Sequence, residues 1–98
     1  KKVRMIEGLP DEDGHPSFSQ DRKIILTDTY PNKGRKQYVF LFDTTKCSLY
    51  VLDTLWSPFR YFNENRCDLH PRWSYDNKYI CVDNTASGFR SLKLYRVK

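Results

Sequence analysis

What the sequence lacks narrows it first. Only three cysteines, Cys47, Cys67 and Cys81, occur in 98 residues. The odd number and the lack of Cys-x-x-Cys spacing argue against a disulfide framework or a zinc knuckle. Cys47 and Cys81 fall in apolar strand patterns and are expected to be small buried hydrophobes. No apolar run approaches the ~20 residues that a membrane-crossing helix needs. The opening stretch, Lys1 to Gln20, is charged and polar, unlike a secretory leader. The chain begins at Lys1, which leaves a removed leader or a larger parent open, so the compartment is not legible. No Gly-x-Ser-x-Gly, P-loop or Gly-x-Gly-x-x-Gly segment is present. No stretch carries helical periodicity, and helix content is expected to be near zero.

What is present leans towards β-structure. Hydrophobic residues make up 39% of the chain and aromatics 15%, too apolar for a disordered segment and suited to pleated, half-buried surfaces. The net charge is +5, compatible with an anionic partner or with a solvated basic surface. The basic residues are scattered, and the Lys33-Gly34-Arg35-Lys36 cluster is too short for a nucleic-acid arm. Neither a nucleic-acid nor a membrane partner is expected.

Sliding the chain on itself until His15 falls on His70 aligns two segments, the step that governs all later readings. His15-Pro16-Ser17-Phe18-Ser19-Gln20-Asp21-Arg22-Lys23 and on to Asp28 matches His70-Pro71-Arg72-Trp73-Ser74-Tyr75-Asp76-Asn77-Lys78 and on to Asp83. Half of the aligned positions are identical: His, Pro, Ser, Asp, Lys, Ile and the final Asp. The match extends upstream as Asp13-x-His15-Pro16 against Asp68-x-His70-Pro71. Each copy reads as a short strand starting at a proline, where the missing N–H matters least, then a polar turn. There Asp21 or Asp76 bonds its own backbone, and Ser19 and Ser74 serve as turn hydroxyls rather than nucleophiles. A short apolar strand follows, Lys23 to Thr27 or Lys78 to Val82. Third strands follow at Gln37–Asp43 and Ser91–Val97, and Thr44-Thr45-Lys46 turns the first copy into a fourth strand, Cys47–Leu52.

Repeated four-stranded antiparallel units define propeller blades. The expected fold is therefore all-β: two four-stranded antiparallel blades of a β-propeller, either partial or completed by oligomerisation. Residues 1–56 form the first blade, with the outer strand of a neighbouring blade at about 3–6 (Val3-Arg4-Met5-Ile6). Residues 57–69 form an aromatic connecting loop, and residues 70–98 a second blade whose outer strand is missing. Two blades do not close a ring, so the chain is expected to be a piece of a longer protein or one copy in a homo-oligomer. The run Leu55-Trp56-Ser57-Pro58-Phe59-Arg60-Tyr61-Phe62 reads either as a stacking platform for a sugar or base or as a loop burying its own rings.

The two His-Pro-x-aromatic-Ser-x-Asp phrases resemble the repeat of TolB-like propellers, which runs roughly Pro-x-aromatic-Ser-Pro-Asp-Gly-Lys. Gln20 and Tyr75 replace its second proline, and Arg22 and Asn77 its glycine; Lys23 and Lys78 match. Gly88-Phe89-Arg90-Ser91-Leu92-Lys93-Leu94-Tyr95 looks like the family's third strand. The resemblance covers about residues 13 to 98. The added histidine is similar to bacterial propellers related to oligogalacturonate lyases, which act on acidic polysaccharide. In that family histidines near the central channel hold a divalent metal beside an arginine base. The resemblance offers His15 and His70 as metal ligands by type and position only.

On the propeller reading, Asp13, His15, Asp68 and His70 sit at a channel mouth, and residues two apart on a strand share a face. A carboxylate beside an imidazole orients a metal ligand or creates a general base; alternatively, the pairs bridge adjacent blades structurally. Arg66 either meets an anionic ligand at the same mouth or pairs with a neighbouring carboxylate. Asp28 and Asp83 read as turn caps, and Glu64 and Arg90 as solvated charge. Two functions remain open: a binding or scaffolding module for a protein or glycan partner without a cofactor, or part of a metal-assisted lyase or hydrolase on acidic polysaccharide.

Overall fold

A computed structural model describes residues 8–9, 14–62 and 65–97. The expected strand at 3–6, Asp13 and Glu64 lie outside the described residues. The chain is all-β, with no α-helix among the described residues. β1 (Ser17–Phe18), β2 (Ile24–Asp28), β3 (Lys36–Asp43) and β4 (Ser48–Trp56) form one antiparallel sheet in sequential order. β5 (Arg72–Trp73), β6 (Tyr79–Asn84) and β7 (Ser91–Arg96) form a second. The second sheet thus has three strands among the described residues.

The strand-turn-strand unit recurs in both copies with the same pairings and turn bonds. Ser17 opposes Leu26 and Phe18 opposes Ile25; in the second copy Arg72 opposes Cys81 and Trp73 opposes Ile80. The Ser19 amide donates to the Ile24 carbonyl and the Ser74 amide to the Tyr79 carbonyl, both at 2.8 Å. Each turn is held by its aspartate, which accepts the Ser19 or Ser74 hydroxyl at 2.7 Å and the Lys23 or Lys78 amide at 3.0 Å. The residue after that aspartate is left-handed in both copies, Arg22 at φ 62° and Asn77 at φ 59°. Glycine enters that region without steric cost; here a longer side chain takes the position in both copies.

Two expectations need correction. The fourth strand runs on to Trp56 rather than ending at Leu52, because a register shift between Val39 and Phe40 carries the β3–β4 pairing past Asp53. Cys47 is exposed in the turn before β4, at φ 51°. Asp43, whose carboxylate accepts the Thr45 and Lys46 amides, pairs with Ser48, so the turn takes four residues, 44–47, instead of three and Cys47 falls outside the strand. Cys81 is half-buried, and the buried thiol is Cys67.

The sheets share one core. Leu26, Val39 and Leu55 from the first pack with Ile80 and Val82 from the second and with Leu69 between them. Polar bonds cross the same junction: the Trp73 indole N–H donates to the Ser17 carbonyl, and the Asn77 side chain accepts the Gln20 amide. At the other end Asp53 on β4 receives Lys93 and Tyr95 from β7.

The connecting loop is organised by a residue that the sequence singled out only as part of the short basic cluster Lys33-Gly34-Arg35-Lys36. Arg35 is buried, left-handed at φ 60°, and donates to the carbonyls of Ser57 and Tyr61, each at 2.9 Å. Its guanidinium lies 5.3 and 5.6 Å from the Phe59 and Phe62 ring centres. Both rings remain largely exposed, so the loop is anchored through its backbone and does not bury its own aromatics.

Candidate functional site

The site grows from one close backbone approach. A Cβ on Gly14 would collide with the Asp28 carbonyl oxygen; only glycine lets the chain before β1 run this near the end of β2. That contact seats His15 on Asp28. The His15 amide donates to Asp28 Oδ1 at 2.6 Å, and His15 Nδ1 lies 3.1 and 3.2 Å from the two carboxylate oxygens. The Asp28 side chain is fully buried. In the neutral imidazole, a buried carboxylate facing Nδ1 favours the tautomer with its proton there, which leaves the Nε2 lone pair for a ligand. Asp28 is therefore not a turn cap but the group that orients His15.

The second histidine arrives from the other sheet's entry. His70 precedes Pro71 and adopts φ 42°, a conformation that is uncommon for any side chain but glycine and that marks strain. Leu69 anchors the segment: it is fully buried, and its carbonyl accepts the Asp83 amide at 2.8 Å. The His70 ring centre lies 4.1 Å from that of His15, and Tyr30 closes the other side of His15 at 5.8 Å.

Asp68 completes the cluster. Donor atoms of His15, Asp68 and His70 all lie within 4.8 Å of one another. Arg66 Nε sits 2.6 Å from Asp68 Oδ1, and the guanidinium stacks 4.2 Å above Tyr30. Its hydrogen bond to Asp68 raises the Arg66 pKa further, holding the group charged. Of the expected site residues, His15, Arg66, Asp68 and His70 thus stand together, and Asp13 lies outside the described residues. Asp68 and His70 do not share a strand face as expected: residues 65–71 form no strand, and Asp68 turns to Arg66. The expected alternative for Arg66, a carboxylate pair, is what the geometry contains.

The two copies of the repeat are not used alike. Arg72 occupies the position of Ser17 and takes the Asp83 carboxylate at 3.1 Å. The counterpart of the Asp28–His15 pair is thereby lost, and His70 is exposed. Asp83, like Asp28, is therefore no turn cap. The signal for Asp28 was in the sequence, since this aspartate recurs in the second copy as Asp83.

No family model, no curated protein and no solved structure matches this chain. The arrangement must be read on its own chemistry. Two imidazoles and a carboxylate, one imidazole anchored at its far nitrogen by a buried aspartate, form a donor set suited to zinc, manganese or iron. Ligands around such a cation stand roughly 3–3.5 Å apart, so modest side-chain movement draws these three together. The donor set therefore fits a divalent metal.

Proposed function

We propose that the two sheets are successive blades of a propeller-type repeat, and that their junction holds a divalent cation through which the module binds a carboxylate-bearing glycan. The observation that carries the reading is the convergence of His15, Asp68 and His70, with His15 Nδ1 secured by buried Asp28. Three protein donors leave coordination positions open, and a sugar carboxylate is a hard anionic ligand able to fill them. Arg66 beside the cluster adds a charge of matching sign. The propeller reading is supported by the four-stranded antiparallel sheet and by the turn and strand pairings that recur from the first copy to the second.

The second reading is a lyase with Arg66 as base. A base must be free of its proton, and the guanidinium, charged already, is held further in that state by its hydrogen bond to Asp68. Binding without bond cleavage therefore stands first. The test is calorimetric titration with Zn²⁺ and Mn²⁺, followed by retention on polygalacturonate with and without chelator. One cation per chain is expected, with cation-dependent retention that His15→Ala and His70→Ala each abolish. Absence of cation binding by the wild-type chain overturns the reading. Release of unsaturated sugar products would replace it with the lyase.

A further inference from the structure

Aromatic rings and guanidiniums alternate in the connecting segment, Trp56-Ser57-Pro58-Phe59-Arg60-Tyr61-Phe62, and again in Phe89-Arg90. Tyr61 joins the two segments, since its hydroxyl donates to the Gly88 carbonyl at 3.2 Å. The Arg60 and Arg90 guanidiniums each lie 5.1 Å from the Tyr61 ring centre. Arg35 holds the same residue through its bond to the Tyr61 carbonyl. The Lys33–Lys36 cluster is too short by itself for a nucleic-acid arm, but folding adds two guanidiniums from other segments.

Two observations point to a ligand on this surface. The first is exposure: Phe59 is 71% and Phe89 72% exposed, and Phe62 and Trp56 are more than half exposed. Rings left open in this way offer flat faces for stacking. The second is charge without a counter-charge. Arg66, Arg72 and Lys93 pair with Asp68, Asp83 and Asp53. Arg35, Arg60 and Arg90 have no carboxylate partner among the described residues, and residues 54–62 and 84–97 contain no aspartate or glutamate. Arg35 is buried and donates to neutral oxygens, the carbonyls of Ser57, Pro58 and Tyr61 and the Ser57 hydroxyl. A buried cation among neutral partners is costly, and an anion close by lowers that cost.

We propose that this surface binds single-stranded nucleic acid, the bases stacking on Phe59, Phe62 and Phe89 and the phosphates lying against Arg60 and Arg90. Each nucleotide of a single strand supplies an open base face and a separate negative charge. That matches rings and guanidiniums that alternate along the chain. A duplex hides its base faces, and an acidic glycan carries charge without an aromatic face. The proposal is independent of the cation site.

The test is fluorescence anisotropy with a labelled oligothymidylate of about 12 nucleotides, in the presence of chelator so that no cation contributes. Wild-type binding is expected to weaken as salt rises from about 50 to 200 mM. Arg60→Ala is expected to lessen the slope of log affinity against log salt by about 0.7, the loss of one phosphate contact on a single strand. Phe59→Ala is expected to weaken binding roughly 10-fold with the slope unchanged. Both positions are exposed, and far-UV circular dichroism checks that each variant is folded. Phe89→Ala replaces Phe59→Ala if that chain fails to fold. Absence of binding by the wild-type chain at low salt overturns the proposal, as does wild-type behaviour of the folded variants. So does competition by duplex DNA or polygalacturonate as strong, charge for charge, as by the unlabelled single strand. That result assigns the surface to charge alone or to an acidic glycan.

Discussion

Asp28 and Asp83 stand at the same place in the repeat, yet a single neighbour separates their roles. Ser17 is too short to reach Asp28, so the carboxylate is left for His15; Arg72 at the same position captures Asp83. Asp28→Asn should weaken cation affinity by about 10-fold or more, the usual effect of losing a carboxylate behind a ligating imidazole. Asp83→Asn should leave affinity unchanged. Calorimetry on the two variants decides it, and equal losses would remove Asp28 from its orienting role. Asp53 is a second informative carboxylate. Burial pushes its pKa up, but the bonds from Tyr95, Lys93 and the Thr54 amide outweigh burial and leave it below the ordinary value. Burial, then Asp53 itself, pushes the Tyr95 hydroxyl well above its usual range. A depressed carboxylate contributes stability that is complete above its unfolded pKa and lost as pH falls through the folded one. A raised phenol contributes stability present below its unfolded pKa and lost at higher pH. Wild-type stability should therefore fall on acidification below about pH 4 and again above about pH 10. Tyr95→Phe should cost about 1 kcal/mol near neutrality and flatten both falls. Urea unfolding across pH measures this, and an unchanged acid limb would contradict it.

At the scale of elements, the turns carry strain that a side chain compensates in only one copy. Arg22 bears the left-handed penalty with no side-chain bond among the described residues to offset it. Asn77, at the equivalent place, accepts the Gln20 amide and donates to the Ser74 carbonyl at 3.2 Å. Arg22→Gly should stabilise the fold by about 0.5 kcal/mol, strain relief slightly exceeding the added freedom of the unfolded chain. Asn77→Gly should destabilise it by about 1 kcal/mol, because the inter-sheet bond is lost. Thermal melts of both variants give the two signs, and the same sign in both would refute the argument. Strands and turns were legible here because they depend on local chemistry: Asp21 and Asp76 hold their own turns, and β-branched and aromatic runs make strands. The inward turn of Arg35 was not legible. Its partners are carbonyls 22 and 26 residues away, and nothing in Lys33-Gly34-Arg35-Lys36 separates it from its exposed neighbours.

At the scale of the whole molecule, neither sheet owns a complete core. Leu69 sits between Leu26, Val39 and Leu55 on one side and Ile80 and Val82 on the other. Removing either sheet would expose the apolar face of its partner, so the two should unfold together. Tryptophan fluorescence, reporting from Trp56 and Trp73, and far-UV circular dichroism should follow one urea transition. Two resolved transitions would show that the sheets are energetically separate.

The sequence by itself determined the repeat, the strand-turn-strand grammar of each copy and the placing of both histidines at equivalent points. Those features follow from residue type and short-range spacing. Only the tertiary structure decided that His15 and His70 meet, that Asp28 and not Asp68 orients His15, and which sheet faces are covered. Such choices depend on which side chain reaches a group first across a packed junction, as Arg72 reaches Asp83 and Gly14 lets His15 reach Asp28.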